Sequence, residues 1–278
     1  MASVRAAWPA LALALALAAG ACSSPEPRPR DDLRAELPET PRLDVSFSLQ
    51  WDSISRNDKG ERDAEQVARW VTERRNAVER CLRHEPQALL QAQEILEEIL
   101  SKVSDVSRDR LLLAQLYFAN ATVYYRSADV QFFEITRLRT EKRLLPDEGG
   151  RALDDEEVER LVAEHQPSFE ANLLRLNEWA NRALAQFTMY QRMRPDDKSV
   201  YDYLWKLYFF LQNYEESLRW LDQVLRELDV RGVPQDEPIP QDYRRYRARI
   251  AEFVADQRIH GLKPIRPLLP FGNERRIE

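Results

Sequence analysis

Three patterns of apolar residues divide this chain. From Ala10 to Ala19 they form an almost unbroken Ala-Leu block, from Leu43 to Trp51 they alternate with polar residues, and from about Asp63 to Ile259 they recur every three or four positions. Each pattern predicts a different element. The first block is too short for a transmembrane helix, which needs about 20 apolar residues. Led by Arg5 and closed by Ala19-Gly20-Ala21, it reads as a cleavable export signal over residues 1–21. The alternation Leu43-Asp44-Val45-Ser46-Phe47-Ser48-Leu49-Gln50-Trp51 has the period of a strand. One strand makes no sheet. Residues 43–56 therefore either lie extended in a groove of the helical body, burying Val45, Phe47 and Leu49, or form an arm that adds to a partner's sheet edge.

The helical period predicts an all-α domain over residues 57–260. Val67, Trp70, Val71, Val78 and Leu82 form one stripe; Leu89, Ala92, Leu96, Ile99 and Val103 form the next, opening after Pro86. Ser107, Asp109 and Arg110 start a long segment through Leu113, Leu116, Tyr117 and Tyr124, running on as far as Leu145, where Pro146-Asp147-Glu148-Gly149-Gly150 stops it. Asp154 and Glu157 have capping-box spacing and predict a short acidic helix that ends before Pro167. Phe169, Leu173, Leu176, Ala180, Ala183, Leu184, Phe187 and Tyr190 then predict a separate long helix, closed by Pro195-Asp196-Asp197. Two shorter helices follow, Ser199 to Leu211 and Tyr214 to Leu228. A Pro-rich loop from Val230 to Asp242 leads to a last helix carrying Tyr243, Tyr246, Ile250, Phe253 and Val254.

The flanks differ from this body. Residues 22–42 hold Pro25, Pro27, Pro29, Pro38 and Pro41 and almost nothing apolar, which predicts an extended tether at about 3.1 Å per residue. Residues 261–278, with Leu262, Pro264, Ile265, Pro267, Leu268, Leu269, Pro270 and Phe271, are too proline-rich for a helix and too apolar to be wholly disordered. They read as a strap across the last hairpin or as a docking peptide.

Ala19-Gly20-Ala21 before Cys22 resembles the lipobox of bacterial lipoproteins, with Ala19 where Leu is usual. The resemblance implies that Cys22 receives a diacylglyceryl thioether, becomes the mature N-terminus and anchors the chain to a membrane, with Ser23 fitting outer-membrane sorting. The same small residues satisfy ordinary secretory cleavage, which cuts the same bond and leaves Cys22 a free thiol.

One internal period stands out. Ala183, Phe187 and Pro195 precede Ser217, Leu221 and Asp229 by 34 positions, with Tyr201, Leu204 and Tyr208 between them. This resembles the tetratricopeptide repeat, over about residues 180–229 and more faintly over 85–120. Trp205 stands where a small residue is usual, Gln212 where Gly is usual and Asp229 where Pro is usual. The resemblance implies stacked helical hairpins that bind proteins or peptides on a concave face, to which Asp202, Lys206, Phe209 and Phe210 would project.

Composition narrows the chemistry. The formal charge is −6; cleavage at Cys22 removes Arg5 and leaves 40 basic against 47 acidic residues, or −7. So acidic a chain lacks the basic surface that nucleic-acid binding requires. Of the two cysteines, an acylated Cys22 leaves Cys81 without a disulfide partner, and Cys81 reads as a small buried apolar residue. His84, His165 and His260 are widely spaced, with no HExxH or CxxC set, and no P-loop, GxGxxG or GxSxG occurs, so the sequence offers no metal, cofactor or catalytic constellation. Asp154-Asp155-Glu156-Glu157 reads as a charged helix start rather than a cation loop.

Two surfaces remain. Tyr201, Tyr203, Trp205, Tyr208, Phe209 and Phe210 surround one short helix, so some must face a second surface, whether a binding groove or the last helix and tail. Arg244, Arg245, Arg247 and Arg249 crowd another helix and face either solvent, anionic lipid or an acidic partner. Together these features predict a membrane-anchored periplasmic scaffold or assembly factor for envelope proteins. A permanent structural subunit of an envelope complex is the rival reading, and a single-acid cell-wall enzyme on a helical toroid the third.

Overall fold

A computed structural model describes residues 43–83, 88–103, 106–144 and 150–260. Among them the regular elements are all helical: α1 (Ala64–Arg83), α2 (Leu89–Lys102), α3 (Ser107–Glu141), α4 (Asp155–Met193), α5 (Tyr201–Phe210), α6 (Tyr214–Val230) and α7 (Pro238–His260). Short 3-10 turns occupy Trp51–Ser53 and Lys198–Val200. The chain forms two compact units, and the boundary, between Leu116 and Tyr117, falls inside α3. No helix among the described residues is long and apolar enough to cross a membrane. Residues 1–42 and 261–278, hence the signal, Cys22, the tether and the tail, lie outside the described residues.

In the first unit α1 and α2 pack together. Trp70, Val71, Ala77, Val78 and Cys81 of α1 and Ala92, Ile95, Leu96 and Ile99 of α2 are buried, as the three-to-four spacing dictates. One inward position breaks the pattern. Arg74 is 1% exposed, and a charge so placed must be fully paired. Arg75 next to it grips the buried Asp109 at the start of α3, Nη2 to Oδ2 at 2.5 Å.

The second unit is built on a long antiparallel pair. Lys142 meets Asp155, Arg139 meets Glu159, Gln131 bonds Asn172 and Tyr117 packs on Trp179, so α3 numbers fall as α4 numbers rise. With 35 and 39 residues the two helices are roughly 52 and 58 Å long. The N-terminus of α4 carries the full capping box: Asp154 accepts from the Glu157 amide and Glu157 accepts from the Asp154 amide.

The expected break before Pro167 does not occur. Pro167 lies inside α4, which is one continuous helix. An interior proline costs a helix about 3 kcal/mol through the lost N–H and the clash with the preceding turn. Breaking the helix there would sacrifice burial on both sides, since Val158, Val162, Phe169 and Leu173 are all buried, and each such side chain contributes about 1.5–3 kcal/mol. Packing along α3 outweighs the local penalty. A second correction concerns α7, which begins at Pro238, within the expected loop; Pro238 and Pro240 occupy the first turn, where no amide is needed for the helix ladder.

Helix α5 packs on α6, and α6 on α7. Helices α5 and α6 end alike. Asn213 N–H donates to the Tyr208 carbonyl at 2.9 Å and Gln212 N–H to Phe209 at 3.0 Å; Val233 N–H donates to Leu228 at 3.1 Å and Gly232 N–H to Asp229 at 3.0 Å. Both are Schellman closures, which place one residue in the left-handed region. That residue is Gly232 at φ 69° after α6, but Gln212 at φ 59° after α5, where the side chain is strained.

Candidate partner-binding surfaces

Asp202, Lys206, Phe209 and Phe210 are engaged inside the second unit. Asp202 accepts three hydrogen bonds: from Trp205 Nε1 at 2.9 Å, from the Tyr243 hydroxyl of α7 at 2.8 Å and from Lys206 Nζ at 2.6 Å. Burial, reinforced by the charge of Asp202, pushes the Tyr243 phenol well above its ordinary value, so the hydroxyl stays a donor. Phe210 is buried and stacks on Tyr125 and Phe118 of α3, with centroids 4.5 and 5.9 Å away. Phe209 is half-buried between Tyr125 and Tyr214. The aromatic girdle of α5 is thus divided between neighbours. Tyr203 stacks on Phe187 of α4 at 4.7 Å, and Trp205 lies against Tyr243 and Tyr246 of α7. Trp205 is buried because α7 covers it. The Ser217 hydroxyl, fully buried on α6, donates to the Trp205 carbonyl at 2.8 Å.

The arginines of α7 lie at the surface, and three of them have partners within the second unit. Arg247 reaches Asp222 of α6 at 2.6 Å, Arg244 donates to the Gln235 carbonyl at 2.8 Å and Arg245 pairs with Asp242 at 3.7 Å. The acidic start of α4 is spent in the same way, Glu157 on Arg151 and Asp155 on Lys142. No group of three or more His, Cys, Asp or Glu among the described residues could hold a metal ion. Cys81 is fully buried, and burial pushes its thiol up, away from the reactive thiolate.

Between α3 and α4 a pocket of about 260 Å³ is lined by Phe132, Ile135 and Phe169 together with Thr136, Arg139, Thr140 and Gln166. Its polar groups serve the helices. Thr136 donates to the Phe132 carbonyl, Arg139 pairs with Glu159 and Gln166 donates to Glu170.

One apolar feature stood outside the expected sites, and residues 43–50 take one of their two expected placements. On α3, Val130 and Phe133 lie one turn apart and are 69% and 68% exposed, forming an apolar pair on a solvent face. In the first unit, residues 43–50 run extended over α1 and α2 with strictly alternating exposure, Leu43, Val45, Phe47 and Leu49 turned in and half-buried. The grip is on the main chain. Gln91 takes both the N–H and the C=O of Leu43, each at 3.0 Å. Glu73 accepts from the amides of Ser48 and Leu49, each at 3.2 Å, and from the Ser48 hydroxyl.

Arg74 completes the grip. It donates to the Leu49 carbonyl at 3.3 Å, pairs through two bonds with Glu98 at 3.0 Å, and lies between the rings of Trp70 and Phe47 at 3.8 and 4.3 Å. Trp51 meets Trp70 edge-on at 4.9 Å, and Arg62 lies over Trp51 at 4.6 Å. The alternation from Leu43 to Trp51 marked the bound segment in the sequence; for the residues that hold it, the one signal available was a charged residue, Arg74, at an inward position of an apolar stripe.

Comparison with protein-family models, with curated proteins and with solved structures returned no match.

Proposed function

We propose that this chain is a bacterial envelope lipoprotein, anchored through acylated Cys22 and facing the periplasm, whose helical body is a non-catalytic scaffold or assembly factor for other envelope proteins. The anchor confines the body and the segment over residues 22–42 sets its radius, so partners are collected by local concentration. The hairpin of α5 and α6 is its degenerate tetratricopeptide-like unit; the burial of Ser217 beneath Trp205 supports that reading, because such hairpins need a small side chain where the helices cross closely. The observation that carries protein binding is the exposed pair Val130 and Phe133. Apolar side chains so exposed on neighbouring turns favour a surface that meets another protein.

Two measurements test this. Intact mass of the membrane-extracted protein is expected to show the acyl adduct at Cys22; an unmodified thiol would remove the anchor from the mechanism. Photocrosslinking from position 133 in membranes, read by mass spectrometry, is expected to label one dominant envelope protein. Absence of any protein crosslink there would defeat the scaffold reading. Co-purification of that protein at a fixed ratio without crosslinking would turn it into the permanent-subunit reading.

A further inference from the structure

We infer that the face formed by α1 and α2 is a binding site for extended peptides of alternating apolar and polar residues, which the chain's own residues 43–50 occupy in cis. The inference rests on the scaffold reading and names the class of partner it would hold: an unpaired strand presented by another protein.

The chemistry of the occupant defines the ligand. Gln91 reads the N–H and C=O of one residue, Glu73 reads two successive amides, and Arg74 reads the next carbonyl, so the polar contacts fall on backbone that any extended peptide supplies. The side chains that turn inward ask only for apolar character at every second position, with an aromatic ring at position 47 to cover the Arg74 guanidinium. The outward side chains Asp44, Ser46, Ser48 and Gln50 are exposed; Ser48 alone is bonded, to Glu73. This is the logic of strand addition, in which main-chain hydrogen bonds provide affinity and alternate pockets provide selection. Here helical side chains stand in for the sheet edge.

The position of the occupant adds a consequence. Residues 43–50 directly follow the Pro-rich segment 22–42, so an incoming strand that displaces them would lengthen the connection to Cys22 by eight residues, roughly 26 Å at strand spacing. Binding and reach would then be coupled.

The test uses the full chain and a fluorescent peptide with the sequence of residues 43–50. In the double variant Phe47→Ser, Leu49→Ser the cis occupant is weakened while every groove residue is kept. Anisotropy is expected to show saturable binding at least ~10-fold tighter than to the wild type, because a tethered competitor acts at high effective concentration. Adding Glu73→Gln is expected to abolish that gain. A composition-matched peptide with its four apolar residues in one block is expected not to bind. Lack of saturable binding by a double variant of native helix content would overturn the proposal, as would equal binding of the blocked peptide. Should the double variant fail to fold, the same peptide with a benzophenone side chain at its Phe position is added to the wild type. Crosslinks on Trp70–Arg74 support the groove, and their absence at saturating peptide refutes it. The peptide assay contains no membrane or partner, so its failure is distinct from the loss of the crosslink at position 133.

Discussion

Residues 43–50 of the first unit are held through their main chain by Gln91, Glu73 and Arg74, whereas α5 of the second unit is held through its rings by Tyr125, Phe187 and Tyr243. The first arrangement is directional and partly open to water, and it tolerates changes in the segment it grips. The second depends on shape and leaves Phe210 buried. Aromatic density is therefore a poor guide to an open groove in this chain, because large rings repay burial most and neighbouring helices claim them first. A site that reads backbone carries no such compositional mark.

The largest expected effect falls on the ring-packed region. Phe210→Ala removes a ring wedged between Phe118 and Tyr125 and is expected to destabilise the second unit by about 3–5 kcal/mol in urea unfolding, with the Ser48 and Leu49 amides still protected from exchange. Loss of that protection as well would break the contrast between the regions. Arg74→Ala should act the other way round. Losing the Leu49 bond, the Glu98 pair and both ring contacts is expected to cost about 2–3 kcal/mol and to release the Ser48 and Leu49 amides, measured by hydrogen exchange, with the Tyr125–Phe210 stack intact.

A smaller effect, of opposite sign, is expected at the end of α5. Gln212 holds a left-handed conformation that Gly232 adopts freely at the matching place, and its buried Oε1 has no hydrogen-bond partner. Gln212→Gly is expected to stabilise the second unit by about 1 kcal/mol, seen as a raised urea midpoint with unchanged slope. An unchanged or lowered midpoint would show that the left-handed geometry carries no strain.

pH separates the two regions most gently. The Ser48 hydroxyl bond holds the Glu73 carboxyl below its ordinary value, so its grip is complete above the ordinary carboxylate range and is lost as pH falls through the lowered value. Burial and the bond to Asp197 push the Tyr190 phenol from 10.0 up to about 12, so its contribution is complete below pH 10.0 and is lost as pH rises through about 12. Acid is expected to loosen residues 43–50 as Glu73 is protonated, and alkali to loosen the Tyr190–Asp197 contact of the second unit. Amide exchange at Ser48 and tyrosinate absorbance read the two ends; loss of the Ser48 protection in alkali at the tyrosinate transition would contradict it.

Much of the helical architecture was legible in local pattern. The stripes of α1 and α2, the capping box at Asp154 and Glu157, and the aligned apolar positions from Phe169 to Tyr190 are each set by residues within a few positions of one another. The candidate site was less legible. Asp202, Lys206, Phe209 and Phe210 were correctly placed on one short helix, but α3 and α7, distant in sequence, determine what covers them.

What the sequence by itself determined is the periodicity: a helical body, an alternating segment ahead of it, and no helix long and apolar enough to cross a membrane among the described residues. Tertiary structure alone decided three things. It carried α4 through Pro167, because burial along α3 exceeds the local cost. It spent the aromatic helix on internal contacts. And it chose between the two placements open to residues 43–50, laying them over α1 and α2, where Arg74 pairs with Glu98, lies against Trp70 and Phe47, and donates to the Leu49 carbonyl. Long-range pairing of this kind leaves no period in a sequence, since its partners lie some 25 positions away and meet only when the helices pack.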